Sequence, residues 1–279
     1  MRELERHEII ERSIIKKYRK EIWIPFVKAV KRYHLISEGD SIAVCISGGK
    51  DSMLMAKLIQ QLIRQSDFPF SATYLVMNPG YNDFNREKIE SNAALLHIPI
   101  TIFETDIFKV ANNTNENPCY LCARMRRGHL YAKAKELGCN KIALGHHMSD
   151  VIETTLMGMM YGSQLQGMLP RIKSTNFDGM QLIRPMYCIL EENIMAWSKY
   201  NDLEFIRCAC RFTESYTMSE DEGDVSKRQE IKKLIKQIKR ENPDVERNIF
   251  NSIHRVNVDT FVGYKQNGET HSFLEKFEE

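Results

Sequence analysis

The sequence predicts an α/β fold in which a parallel sheet carries helices on both faces, and two features predict it. Apolar runs of strand length recur at 42–46, 70–77, 98–103 and 141–144, separated by stretches of helical periodicity. Such alternation implies βαβ units, whose crossovers place helices on either side of a parallel sheet. The second feature is the corner at residues 42–55. Ile42-Ala43-Val44-Cys45-Ile46 breaks at Ser47-Gly48-Gly49 and passes directly into a helical pattern at Met53, Leu54, Leu58 and Leu62. Two glycines let the backbone turn its N–H groups toward an anion, and Lys50 adds a point charge at a helix N-terminus.

Taken in order, the chain opens with Ile9, Ile10, Ile14, Ile15, Tyr18, Ile22 and Trp23 at spacings of three and four, an amphipathic helix with a break expected near Pro25. Its basic side reads as a solvated face. After the 42–46 strand and its helix, Phe70 to Met77 is a strand ending at the turn Asn78-Pro79-Gly80. A helix over 85–96 leads to a strand at Ile98–Phe103. Asn112 to Asn117 reads as a polar loop, Arg126 to Leu137 as a helix, and Lys141–Leu144 as a strand with Gly145-His146-His147 at its end. In parallel sheets ligands bind outside the carboxyl ends of the strands, where the 47–52 loop, Met77-Asn78 and Gly145-His146 all fall.

Beyond residue 210 the chain changes character. Ser219 to Asp224 is acidic, and Lys227 to Arg240 is a strongly basic helix with Ile231, Leu234, Ile235 and Ile238 on one face, which leaves its lysines for phosphate. The last fifteen residues read as a frayed tail. The expected organisation is an N-terminal amphipathic helix over 1–36, a nucleotide-binding domain with the cysteine motifs over 37–210, and a charged helical segment and tail over 211–279.

Composition narrows the classes. At 279 residues the chain can bury a full core. Its 39 lysines and arginines against 37 aspartates and glutamates give a net charge of +2, so a nucleic-acid surface must be a local patch. The charged start and the lack of a long apolar run point to a cytoplasmic protein without a membrane span. Seven cysteines, an odd number, argue for reduced thiols rather than a disulfide framework. Cys45 lies inside the first strand and Cys139 follows the helix-ending Gly138, so both read as small core residues. Cys188 has no assigned role.

The remaining cysteines form a constellation. Cys119-Tyr120-Leu121-Cys122 alone leaves open half of a zinc site, a redox pair or an iron–sulfur ligand pair. The later Cys208-Ala209-Cys210 is too tight for the usual zinc ribbon. Thiolates so placed fit a cluster with an incomplete protein shell better than a closed tetrahedral zinc.

Ser47-Gly48-Gly49-Lys50-Asp51-Ser52 resembles the PP-motif of the N-type ATP pyrophosphatases, which cleave ATP between the α and β phosphates and adenylate a substrate. The motifs C-x-L-C-x-R-x-R-R-G from Cys119, L-G-H-H at 144–147, M-x-Y-G-x-x-x-x-G-M-x-P from Met159 and Ile183-Arg184-Pro185 follow in the order seen in the TtcA-type tRNA 2-thiocytidine synthetases. The resemblance runs from about residue 40 to 210. It implies the PP-loop, adenine nucleotide α-hydrolase-like fold and a [4Fe-4S] cluster on three cysteines with one iron open. It also implies ATP and Mg²⁺, and adenylation of O2 of an anticodon-loop cytidine, at position 32, before sulfur replaces the activated oxygen. A tRNA, a sulfur donor such as a cysteine desulfurase, and a homodimer are the implied partners.

Carried over residue by residue, the resemblance gives Cys119, Cys122 and Cys210 as metal ligands, with Cys208 the alternate to Cys210. Ser47, Gly48, Gly49, Lys50, Asp51, Ser52, Met77 and Gly145 are the nucleotide-binding set. Cys119, Cys122, Asp51 and Asp150 are the catalytic set, the two aspartates as Mg²⁺ holders. His146 and His147 read equally as acid–base groups or as a helix-start cap. Arg124, Arg126, Arg127, Arg171 and Lys173 supply positive charge for RNA beside the cleft. The chain departs from the family at Ser149, where an aspartate is usual, and at Arg207, Cys208, Arg211 and Phe212, where a C-x-x-C and glycine are usual. Two alternatives share these residues: thiolation of a tRNA uridine or of a small molecule, and a metal- or cluster-bearing RNA-binding protein without catalysis.

Overall fold

The four strand-length runs become β1 (Ser41–Ile46), β2 (Ser71–Asn78), β3 (Ile100–Glu104) and β4 (Lys141–Ala143), and two strands not expected from the sequence follow, β5 (Arg171–Lys173) and β6 (Gln181–Ile183). In a computed structural model, which describes residues 2–107, 118–206 and 227–277 with the side chains of 118–123 and 276 excepted, they form one sheet in the order β3-β2-β1-β4-β6-β5. Every pairing is parallel except that of β5 with β6. The expected parallel sheet is therefore extended by a fifth parallel strand, β6, and by the antiparallel edge strand β5, which carries Arg171 and Lys173.

The pleat explains the two-sided burial. Ile42, Val44 and Ile46 point to one face, beneath α3 (Lys50–Gln65), α4 (Asp83–Leu95) and α7 (Glu191–Tyr200), where they join Met53, Ile59, Ile89, Ile194 and Trp197. Ala43 and Cys45 point to the other, with Tyr131 and Ala134 of α5 (Pro118–Glu136). A strand covered on both faces has no polar position, which is why 42–46 reads as a continuous apolar run. Cys45 and Cys139 are buried in that second layer, and burial pushes the Cys45 thiol up to about 12.

The N-terminal helix is interrupted upstream of Pro25 rather than at it. α1 (Arg6–Ile15) is followed by a π-helical turn at Arg19–Trp23 and then α2 (Ile24–Arg32). Pro25 sits in the first turn of α2, where its missing N–H was not needed. Ile10, Ile14, Ile22 and Phe26 are fully buried. Buried Lys57 of α3 fastens α1 in place through Glu11 and also donates to the Leu96 carbonyl at 2.7 Å.

The chain forms two compact units, Met1–Val151 with Met168–Val225 and Ile152–Gly167 with Ser226–Glu279. In the second, α8 (Lys227–Glu241) buries Ile231 and Ile235, while Ile238 is 37 % exposed. Arg228 and Lys232 of α8 face the buried Glu153 at 3.1 and 3.7 Å, so part of the basic helix is neutralised internally. The expected frayed tail is instead a hairpin of β7 (Gly263–Gln266) and β8 (Glu269–Ser272). Asn267 and Gly268 turn it with φ of 53° and 90°, the left-handed pair that a two-residue hairpin loop requires. The loops expected at 112–117 and 219–224 lie outside the described residues, and among the described residues no helix is long and apolar enough to cross a membrane.

Candidate nucleotide and sulfur-transfer site

The site is built at the carboxyl edge of β1, β2, β4 and β6. Gly48 leaves β1 with φ of +84°, and a Cβ there would lie 2.5 Å from Ile89 and 2.7 Å from Ile206, so only glycine fits. Gly49 is the N-cap of α3, which directs the first N–H groups of that helix into the cleft. The loop is held by its own hydroxyls. Ser52 Oγ accepts from Ser47 N at 3.1 Å and donates to Gly49 O at 3.0 Å. A cleft of 820 Å³ opens beside Gly49, Lys50 and Asp51, with Phe84, Lys88, Met195 and Lys199 on its walls. That volume lies within the roughly 300–1,000 Å³ of small-molecule sites.

The expected convergence of distant motifs is present. Gly145 packs on the peptide between Asp51 and Ser52, where a Cβ would approach within 3.3 Å. Met77 is buried near the end of β2, and Asn78 Oδ1 accepts from Gly80 N and Tyr81 N at 3.0 and 2.7 Å, shaping the turn. His147 is buried between two carboxylates, with Nε2 3.8 Å from Asp51 Oδ1 and Nδ1 3.4 Å from Asp150 Oδ2. Asp150 also caps the His147 N–H at 3.0 Å, so this segment serves as a helix start and as the bridge joining the two aspartates. Asp51 Oδ1 is buried and accepts no hydrogen bond among the described residues, which fits an oxygen awaiting a hard cation.

Lys50 is not open to solvent alone. Its ammonium lies 3.0 Å from Glu191 of α7 and 3.3 Å from Asp51. Burial works against its charge, but the two carboxylates outweigh it and raise its pKa. Sequence reading missed Glu191, because Glu191-Glu192 at the start of a helix is an ordinary dipole-favoured pair. Ser149, the departure from the family motif, accepts from Glu191 N at 3.1 Å.

The arginines divide. Arg184, just past β6, is buried; its Nη1 donates to the Leu169 carbonyl, and its Nε has no partner among the described residues. Burial, and then the nearby Arg127, pull its pKa down to about 10. Together with Tyr187, whose hydroxyl donates to Met168 O at 2.6 Å, it anchors the Met168–Pro170 segment. Arg171 is engaged by Gln181 at 2.7 Å and the His34 carbonyl at 2.8 Å, which makes it a tie for the edge strand more than a free phosphate contact. Arg124 and Arg127 are exposed on α5. Cys119 and Cys122 fall in the first turns of α5, one helical turn apart. Cys208 and Cys210 lie outside the described residues, following Ile206, whose side chain covers Gly48.

Residues 20–217 match the PP-loop domain family. The tRNA-cytidine(32) 2-sulfurtransferase of Geobacter metallireducens is 32 % identical over 233 residues, covering 82 % of this chain and 87 % of that protein. That of Bordetella avium is 31 % identical over 254 residues, covering 86 % and 77 %. Among solved structures, the U34-tRNA thiolase NcsA from Methanococcus maripaludis, which holds a [4Fe-4S] cluster, shares the fold with a TM-score of 0.64, covering 83 % of this chain and 77 % of that one at 20 % identity. With a nucleotide loop of the kind the match describes and relatives aligned across most of both lengths, the chain belongs to the PP-loop family, in its tRNA-cytidine(32) 2-sulfurtransferase branch.

Proposed function

We propose that this protein uses ATP to replace O2 of a cytidine in a tRNA anticodon loop, position 32, with sulfur. The observation that carries the reading is the direct contact of the glycine loop at 47–52 with the 145–150 segment, through Gly145 on the Asp51–Ser52 peptide and His147 beside Asp51, in a chain related over 82 % of its length to enzymes of that name. The α3 N-terminus, the Gly48–Gly49 backbone and Lys50 bind the phosphates; their positive ends meet the charge that builds on the α-phosphate as the cytidine oxygen attacks it and pyrophosphate leaves. Asp51 and Asp150, set by His147, are the residues that would hold Mg²⁺, whose chemistry is to neutralise phosphate oxygens. Sulfide then adds at C2, and the adduct collapses with loss of AMP, which carries the original oxygen, and of the S–H proton, leaving the C2–sulfur double bond.

Cys119, Cys122 and Cys210, with Cys208 the alternate third ligand, would hold a [4Fe-4S] cluster; its chemistry is to present sulfur at the iron that lacks a protein ligand. The donor set supports this, since three thiolates leave a position open. A cysteine desulfurase-type sulfur source and a homodimer complete the proposal. The arginines exposed on α5 face RNA phosphate, and the target base leaves its stack to reach the cleft.

The test is anaerobic purification with iron, sulfide and zinc quantified for wild type, Cys119→Ser, Cys208→Ser and Cys210→Ser, followed by nucleoside analysis of tRNA incubated with ATP and sulfide. Iron and sulfide in equal amounts, lost in Cys119→Ser and in Cys210→Ser, with 2-thiocytidine formed only by loaded wild type, is the expected result. Zinc without iron would overturn the cluster, and thiolated uridine in place of cytidine would overturn the substrate.

A further inference from the structure

We propose that Glu191 is the positioning residue of the nucleotide loop: a carboxylate that holds Lys50 between itself and Asp51 until the triphosphate takes the ammonium over. The inference rests on the reading of the cleft as an ATP site. Glu191 approaches from α7, a helix far from the loop in sequence, and reaches Lys50 Nζ at 3.0 Å, closer than the 3.3 Å of the adjacent Asp51. All three side chains are partly buried, at 27 % exposure for Lys50, 30 % for Asp51 and 23 % for Glu191, so solvent screens their charges less than on an open surface.

The backbone that carries Glu191 is fixed from behind. Glu191 N donates to Ser149 Oγ at 3.1 Å, and Met148 N donates to Ile189 O at 2.8 Å, which staples the segment before α7 to the start of α6 (Met148–Tyr161). Ser149 stands where the family motif has a carboxylate. Here that position supplies a neutral oxygen to the helix start, and Glu191 adds a negative charge to the loop beside Asp51.

Two consequences follow from charge alone. A negative group beside Lys50 competes with the incoming phosphates, so Glu191 weakens ground-state binding of ATP. It also keeps the ammonium from settling on Asp51 alone, which preserves Asp51 for a cation and aims Lys50 across the loop. Removing it therefore tightens binding and slows turnover, the pattern of an interaction that raises ground-state energy.

The experiment measures binding of α,β-methylene-ATP with Mg²⁺ by calorimetry, and AMP formation from ATP in a single turnover with tRNA, for wild type, Glu191→Gln, Glu191→Asp and Ser149→Ala. Glu191→Gln is expected to bind the analogue about two- to fivefold tighter, the range one such ion pair covers, and to form AMP several-fold more slowly. Glu191→Asp restores part of both, and Ser149→Ala shifts both the same way by less. In a Lys50→Met background Glu191→Gln loses most of its effect. A full effect surviving in that background overturns the proposal, as does weaker binding in Glu191→Gln that extra Mg²⁺ restores, which would make Glu191 a metal ligand. A wild type that binds no analogue would instead overturn the ATP reading itself.

Discussion

Gly145 rests on the backbone of Ser52 so closely that a methyl group on it would lie 3.3 Å from the Ser52 nitrogen. This contact joins the end of β4 to the first turn of α3, and with it the His147–Asp150 segment to the nucleotide loop. Since the neighbours are backbone, Gly145→Ala must move the loop rather than a side chain. It is expected to cost about 1–2 kcal/mol of stability and to weaken ATP binding about tenfold. Urea denaturation and calorimetry check the two numbers separately, and unchanged affinity would show that the loop position is not set here.

At Gly48 the constraint is double, a φ of +84° and two isoleucines in the place of a side chain. Gly48→Ala should cost about 2–4 kcal/mol, combining strain with overpacking. Adding Ile206→Ala should recover part of the loss, because it clears one of the clashes and leaves the strained dihedral. No recovery in the double variant would assign the whole effect to φ.

Asp40 accepts from Lys141, from Ser37 N at 2.6 Å and from Asn140 at 2.8 Å, in a setting where Lys141 is itself buried. Burial works to raise the Asp40 pKa, but these donors outweigh it and hold it below its ordinary 3.8. A depressed folded value means the pair stabilises above pH 3.8 and its contribution vanishes as pH falls through the folded value. Asp40→Asn is expected to cost about 3–5 kcal/mol near neutrality, since it strands a buried lysine. The gap from wild type should narrow only below pH 3.8, as seen in denaturation curves across pH.

On α8, Lys233 and Lys236 are exposed, whereas Lys232 faces Glu153. If the helix meets tRNA phosphate, replacing Lys233 and Lys236 by Gln should each lower the slope of log affinity against log salt by about 0.7–0.9. Lys232→Gln should leave the slope nearly unchanged and lower stability. Filter binding at several salt concentrations distinguishes these outcomes, and equal slopes for all variants would remove α8 from the interface.

The strand–glycine–helix corner, the two-sided burial of β1, the family, and the meeting of residues 47–52, 77 and 145–150 at one sheet edge were all legible in the order of residues. These rest on local rules, since a glycine turn, an apolar run and a parallel crossover each leave a mark in adjacent residues. The C-terminal hairpin was equally local, in Asn267-Gly268, although polar strands of four residues give little alternation to read. What Lys50 faces, what Ser149 bonds to, and the protein partners that hold Arg171 and Arg228 are visible in the packed fold alone. Those pairs join residues distant in sequence, and a charged residue carries no periodicity that names its partner. Which carboxylate reaches a lysine is fixed by how α7 packs over β1 and α3, a packing set by apolar side chains such as Trp197 and Ile194 that take no part in the chemistry.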